Sequence, residues 1–103
     1  VDISESRLKL ATSMGVDKAY LIDPNNFDAS AVANRIKQDM QCEPDVTLEC
    51  TGVETSIQLA VYATKNGGKV GLVGLGPLLV KAPLVYAALR EIDLIGVCRF
   101  RDE

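Results

Sequence analysis

The chain alternates short β-rich apolar runs with longer segments whose apolar residues recur at helical spacing. The β-rich runs are residues 19–22, 45–50, 69–73 and 92–100, and we interpret residues 1–3 as the remnant of a further strand. Strands separated by helices of this length pair in parallel, because each connection must cross back over the sheet. The order β-α-β-α-β-α-β-α-β therefore predicts an α/β fold with a doubly wound parallel sheet.

Residues that begin and end helices occur where this pattern needs them. Ser4 and Asp28 are placed to cap the first two helices, and Gly15 has the position of a glycine that ends one. The third helix is expected to end near Gly67, and Pro83 suits the first turn of the fourth helix. We therefore expect four helices, each connecting two successive strands.

Composition excludes several classes of function. A length of 103 residues is typical of one domain, and a net charge of −3 disfavours a nucleic-acid partner. Histidine is absent, which excludes a Ser-His-Asp triad, a Cys-His pair and a histidine-containing zinc site within this sequence. Three cysteines without CxxC spacing, at positions 42, 50 and 98, indicate reduced thiols and hence a cytoplasmic protein.

Residues 71–89 are long and apolar enough to suggest a membrane span. The stretch contains Lys81 and is interrupted by three glycines and two prolines, so a strand, a turn and an apolar helix explain it better. The first residues show no basic region followed by an apolar run, and we therefore expect no signal peptide. No membrane partner is predicted.

Candidate ligand-binding residues lie at the carboxyl ends of the predicted strands, where parallel sheets bind ligands. They are Asp2, Thr51-Gly52, Val73-Gly74-Leu75 and Cys98-Arg99-Phe100. A carboxylate at the end of the second strand of a dinucleotide fold accepts hydrogen bonds from the adenosine ribose and repels a 2′-phosphate. Asp2 fits that role, although an acidic residue before a helix is also stabilised by the helix dipole. Arg7 could stack on adenine, or it could be a solvated charge.

The run from Gly71 to Gly76 is not a phosphate-binding loop. It reads G-x-x-G-x-G, the reverse of the dinucleotide fingerprint G-x-G-x-x-G, which is absent from the whole sequence. The glycines either allow a bulky ligand to approach closely or form a bulge or turn. Cys50 lacks a neighbour that would activate it and is expected to be a small buried residue. Asp45 and Glu49 share one strand face, and nothing indicates acid-base catalysis by them.

Several strings in the sequence resemble a known family. Residues 46–52 (VTLECTG), 67–68 (GG), 73–76 (VGLG) and 90–93 (REID) are similar to polyol dehydrogenases of the zinc-containing medium-chain dehydrogenase/reductase family. The likeness extends over essentially the whole chain. It implies that residues 1–103 form part of an NAD-binding Rossmann domain, without the first strand and its glycine-rich loop. The zinc-bearing catalytic domain would also lie outside this sequence, ahead of Val1.

The same resemblance implies roles for individual residues. Asp2 and Arg7 would hold the adenosine ribose and adenine, and Arg99 and Phe100 would face the polyol. The nicotinamide half would be flanked by Val73, Gly74 and Leu75 and closed over by Val97, Cys98 and Arg99.

The reaction implied is zinc-assisted hydride transfer from a polyol to NAD, which gives a ketose. The family also implies a homo-oligomer that pairs through the edge strand from Ile92 to Arg99. The isolated chain is expected to be inactive, because it has neither zinc ligands nor the phosphate loop.

Two positions depart from the family pattern. The family usually has an aromatic residue at position 98 and tyrosine at position 100, whereas this chain has Cys98 and Phe100. A hydroxyl group that could contact the substrate is therefore missing, which leaves the polyol specificity open. Two alternatives remain: a non-catalytic module that binds a nucleotide or a partner, and part of a related threonine or alcohol dehydrogenase.

Overall fold

The computed structural model describes residues 1–97. The described residues form four helices and three strands, which alternate from α2 onward. They are α1 (Glu5–Ser13), α2 (Ala29–Met40), β1 (Val46–Glu49), α3 (Glu54–Ala63), β2 (Lys69–Leu72), α4 (Leu84–Leu89) and β3 (Asp93–Gly96).

The three strands form one parallel sheet in the order β1-β2-β3. The register aligns their carboxyl ends, because Glu49 pairs with Leu72 and Leu72 pairs with Gly96. The loops that follow the strands therefore all leave the sheet at the carboxyl ends of the strands. We call this end of the sheet the rim. The parallel α/β class predicted from the sequence is confirmed.

The strand predicted over residues 19–22 is much shorter than expected. It consists of a single parallel bridge between Asp2 and Leu21, with hydrogen bonds from the Asp2 N–H to the Tyr20 carbonyl and from the Ile22 N–H to the Asp2 carbonyl. A turn begins at Asp23, whose carboxylate accepts a hydrogen bond from the Asn25 N–H, and it ends the extended segment. The last predicted strand covers only Asp93–Gly96, and residues 98–100 lie outside the described part of the chain.

The helix starts follow the sequence closely. The Ser4 hydroxyl accepts a hydrogen bond from the Arg7 N–H, and the Asp28 carboxylate accepts one from the Ala31 N–H. Each side chain thereby satisfies an N–H group that has no partner within its helix. Pro83 precedes α4 rather than lying in its first turn.

Helix α3 lies at the centre of the fold, between α2 and the sheet. Its residues Leu59 and Ala63 pack with Tyr20, Ala33 and Ile36 in one apolar cluster. On the sheet side a second cluster consists of Ala60, Val61, Val70, Ala87 and Ile92. Val61 and Val70 are fully buried, and each contributes about 1.5–3 kcal/mol by leaving water. The core therefore covers one face of the sheet.

The opposite face of the sheet is exposed at Val46, Leu48, Ile95 and Val97. A groove of about 610 Å³ separates β1 from Val1 and Asp2. Within residues 1–97, no helix is both long and apolar enough to cross a membrane.

Candidate functional site

The candidate site lies along the rim, where the predicted residues fall into two groups. Asp2 and Arg7 form the first group, at the start of α1. The second group is Val73, Gly74 and Leu75, directly after β2. The turn at residues 51–52, after β1, adjoins both groups: Thr51 lines the same cavity as Asp2 and Arg7, and the turn packs against Gly74.

The Asp2 carboxylate is held by two donors. Its Oδ1 atom accepts a hydrogen bond of 2.8 Å from the Ser4 N–H and lies 3.4 Å from Nη1 of Arg7. The Ser4 N–H holds the pKa of Asp2 below its usual range, partial burial opposes that shift, and the positive charge of Arg7 adds to it. The carboxylate therefore stays ionised at neutral pH and has a fixed orientation.

Asp2 and Arg7 line a cavity of about 420 Å³. It is also lined by Thr51, by the N-cap residue Val53 and by Ser56 in the first turn of α3. Its apolar lining includes Ile22, Pro24, Phe27 and Leu59. A cavity with apolar lining, an ionised carboxylate and a guanidinium can enclose a flat ring that is joined to a polyhydroxylated group.

The second group packs directly against the 51–52 turn through three glycines. A Cβ atom on Gly52 would lie 2.5 Å from the Gly76 nitrogen, and one on Gly74 would lie 2.5 Å from the Thr51 carbonyl carbon. Gly52 also has a φ of +75°, which favours glycine. Gly74 and Gly76 thus serve a close approach between two backbone segments, whereas the sequence leaves bulge, turn and ligand contact open.

The last group of predicted residues is only partly described. The Val97 N–H donates to the Leu72 carbonyl at 3.0 Å, which places Val97 on the rim beside the start of the 73–76 segment. Cys98, Arg99 and Phe100, with the substrate contacts expected of Arg99 and Phe100, lie outside the described residues.

One expectation for the end of β1 needs correction. Cys50 was expected to be buried, but it is exposed, because the chain leaves the sheet after Glu49. The sequence reasoning also missed Glu49, which is buried and whose carboxylate accepts hydrogen bonds from Thr51 and Gly52. The sequence signal for this role was a glutamate just before a Thr-Gly turn.

Metal binding finds no support in the described part of the chain. Residues 1–97 contain no group of three or more Cys, Asp or Glu side chains close enough together to hold a metal ion. The donor set does not fit a zinc site, and no step of a reaction is assigned to zinc on these residues.

Comparisons with known proteins agree with this geometry. The profile of a family described as zinc-binding dehydrogenase matches residues 1–103. The chain is 43% identical to the sorbitol dehydrogenase of Gallus gallus and 44% identical to that of Ovis aries, in each case over 96% of this chain and 27% of the relative. The solved L-idonate 5-dehydrogenase of Escherichia coli superposes with a TM-score of 0.70 at 27% identity, covering 98% of this chain and 27% of that one. The chain thus spans about a quarter of the length of the curated relatives it matches.

Proposed function

This chain belongs to the zinc-binding dehydrogenase family, and we propose that it supplies the dinucleotide-binding part of an NAD-dependent polyol dehydrogenase. The observation that carries the proposal is the Asp2–Arg7 pair on a cavity at the carboxyl ends of parallel strands. When bound, NAD would accept a hydride from a carbinol carbon of the polyol, which becomes the ketone of a ketose while its hydroxyl proton leaves. The sorbitol dehydrogenases among the relatives support a polyol substrate.

Asp2 is assigned to the ribose of the adenosine half. An ionised carboxylate accepts hydrogen bonds from two neighbouring hydroxyls and repels a phosphate on either of them, which selects NAD over NADP. The contacts from Ser4 and Arg7 favour this ionised form. Arg7 is 72% exposed in its side chain, so its guanidinium is free to lie along an adenine ring at the mouth of the cavity.

The nicotinamide half is assigned to the other end of the rim. Val73, Gly74 and Leu75 would flank it, and Val97 would close over it from the end of β3. For Cys98 and Arg99 near the cofactor, and for Arg99 and Phe100 near the polyol, the family resemblance is the only support. The family's zinc would polarise the substrate oxygen, and none of residues 1–97 is assigned to hold it.

Assembly and compartment are proposed on the same basis. Ile95 on the edge strand β3 and Val97 directly after it are exposed, which suits pairing with a second copy over residues 92–99 to give a homo-oligomer. A cytoplasmic location is proposed from the unpaired cysteines Cys42 and Cys50. Nucleic acid and membranes are not proposed as partners.

The test is Asp2→Asn in a chimera that carries this chain in place of the aligned segment of the Gallus gallus enzyme. Loss of the charged acceptor should raise the Kd for NAD about tenfold and reduce the preference for NAD over NADP. Titration calorimetry with both dinucleotides measures the two effects. Glu5→Gln is the matched control, because it removes an exposed negative charge three residues away. An unchanged preference in Asp2→Asn would overturn the assignment of the ribose site.

The isolated chain provides a separate check. We expect the purified 103-residue protein to show no oxidation of sorbitol with NAD, because its sequence lacks the phosphate fingerprint and residues 1–97 hold no metal site. NADH absorbance follows the reaction. Oxidation of sorbitol by the chain alone would contradict the proposal that it supplies only the dinucleotide-binding part of the enzyme.

A further inference from the structure

Glu49 is a buried acidic residue that none of the roles proposed above uses. It is the last residue of β1 and is 5% exposed. Its Oε1 atom accepts hydrogen bonds from the Thr51 N–H at 2.8 Å and from the Thr51 hydroxyl at 2.5 Å, and its Oε2 atom accepts one from the Gly52 N–H at 2.9 Å. A carboxylate accepts hydrogen bonds and donates none, so it can satisfy all three donors, which are the two N–H groups and the hydroxyl of the 51–52 turn.

The environment of Glu49 excludes a role in proton transfer. Both carboxylate oxygens already accept hydrogen bonds from the 51–52 turn, and the side chain is almost completely buried. Within residues 1–97, no lysine or arginine forms an ion pair with it. The carboxylate is contacted by backbone and hydroxyl donors alone, which is a structural arrangement rather than a reactive one.

Glu49 is also bonded to the neighbouring rim segment. Its main-chain carbonyl accepts hydrogen bonds from the Val73 N–H at 2.9 Å and the Gly74 N–H at 3.0 Å. The carboxylate and the carbonyl of one residue therefore fix two segments, the 51–52 turn and residues 73–74. The glycine contacts then transmit the position of one segment to the other, because Gly74 and Gly76 leave no room for movement against Gly52.

We propose that Glu49 is a positioning residue for the nicotinamide half of the dinucleotide. It does not touch the cofactor. Its carboxylate fixes the 51–52 turn, and the backbone of that turn packs against residues 73–75. This inference rests on the proposed function, since it takes residues 73–75 to flank the nicotinamide. Loss of the Glu49 contacts should therefore impair the nicotinamide end of the site more than the adenosine end, where Thr51 lines the cavity but Asp2 is held by Ser4 and Arg7.

Glu49→Gln is the first test. Its amide NH2 must face at least one of the three donors that now face a carboxylate oxygen, so the turn loosens while side-chain volume is conserved. Hydrogen exchange in the 103-residue chain should be accelerated at least tenfold at the Gly52 and Gly74 amides and remain unchanged at the Ala31 amide of α2. Unchanged exchange at Gly74 would overturn the proposed coupling, whether or not the chain binds NAD.

The second test uses the chimera with the Gallus gallus enzyme and compares NAD with ADP-ribose, which lacks nicotinamide. Glu49→Gln should lower kcat about tenfold and weaken NAD binding about tenfold, with a loss of ADP-ribose affinity of no more than about threefold. Thr51→Val should act in the same direction, and Thr51→Ser should restore activity because it keeps the hydroxyl. Glu43→Gln, the same exchange at a carboxylate bonded to Arg90, should leave the ratio of NAD to ADP-ribose affinity unaltered.

The outcomes distinguish a failure of the role inferred for Glu49 from a failure of the proposed function. Equal loss of NAD and ADP-ribose affinity in Glu49→Gln, or a lower Tm with unchanged kcat, would show that Glu49 is merely structural and would overturn the inference. A folded unsubstituted chimera that binds neither ligand would overturn the proposed function itself. Nicotinamide-specific loss together with faster exchange at Gly74 supports both.

Discussion

Arg90 joins several segments of the chain through one guanidinium group. It donates to the carbonyls of Val61, Tyr62 and Thr64 at the end of α3, to the Asn66 side chain, and to Glu43 before β1. Its side chain is only 12% exposed. The last carbonyls of a helix have no partners within that helix. Arg90 donates hydrogen bonds to them in place of the water that its buried side chain excludes.

Replacing Arg90 with methionine should destabilise the fold by about 2–4 kcal/mol, because buried carbonyls and Glu43 lose their donor. Chemical denaturation followed by circular dichroism measures the change. Lys9→Met is the control, since Lys9 is 78% exposed and lies 3.9 Å from Glu5, and its loss should cost no more than about 0.5 kcal/mol. Equal effects from the two substitutions would contradict the role of Arg90.

The Asp2 carboxylate makes stability depend on pH in one direction. Its pKa is lowered in the folded state, chiefly by the Ser4 N–H, so the ionised form favours folding. This contribution is complete above the unfolded-state pKa of about 3.9 and is lost as the pH falls through the lower folded-state value. The stability difference between the native chain and Asp2→Asn should therefore be constant above about pH 5 and shrink as the pH falls below about 4.

Thermal unfolding at a series of pH values tests this dependence. Arg7→Met serves as a comparison, because Arg7 is a smaller cause of the lowered pKa than Ser4 and most of the dependence should remain. If the Tm of the native chain and that of Asp2→Asn instead fall in parallel as the pH falls, folding does not lower the pKa of Asp2.

At the scale of elements, the contact between the turn after β1 and the segment after β2 is set by glycines. Gly74→Ala would place a Cβ atom against the Thr51 and Gly52 backbone, which cannot move aside as a flexible side chain can. We expect a loss of about 1–3 kcal/mol. Gly96→Ala, in β3, is the matched control because a Cβ there meets nothing within 4 Å.

The two alanine variants are best compared by their denaturation midpoints. Gly96→Ala should change stability little, or raise it by up to about 1 kcal/mol through the lower entropy of the unfolded chain. A Gly74→Ala protein as stable as Gly96→Ala would show that the two rim segments are not in firm contact.

Local sequence signals predicted most of the elements but not the length of the strands. The caps at Ser4 and Asp28 are local contacts within three residues, so the sequence contains all the information needed for them. Strand length depends on partners far along the chain. Residues 19–22 have β-rich composition, yet their only strand pairing within the described residues is the bridge between Asp2 and Leu21.

The candidate site was predictable only in part, for the same reason. The rule that ligands bind at the carboxyl ends of parallel strands selects Asp2, Thr51-Gly52 and residues 73–75 from the sequence alone. The role of Glu49 depends on a turn that brings Thr51 and Gly52 back over its carboxylate, and composition does not encode that turn. The exposure of Cys50 has the same origin, because it lies at the point where the strand leaves the sheet.

At the scale of the whole molecule, the sheet has apolar side chains on an uncovered face and two outer strands. β1 pairs with β2 on one side and borders the groove on the other, while β3 pairs with β2 alone within the described residues. Leu48 on β1 is 66% exposed, and Ile95 on β3 is 44% exposed. Unpaired backbone groups beside exposed apolar residues favour association through strand pairing.

We therefore expect the 103-residue chain to self-associate as its concentration rises, as measured by sedimentation velocity. A lysine at the edge strand that forms the contact should prevent it, because a charge opposes desolvation of a strand edge. Suppression by Ile95→Lys would locate the contact at β3, in line with the proposed oligomer, whereas suppression by Leu48→Lys would locate it at β1 beside the groove. A monodisperse monomer with a single cooperative melt at every concentration would contradict both, because neither outer strand would then need a partner.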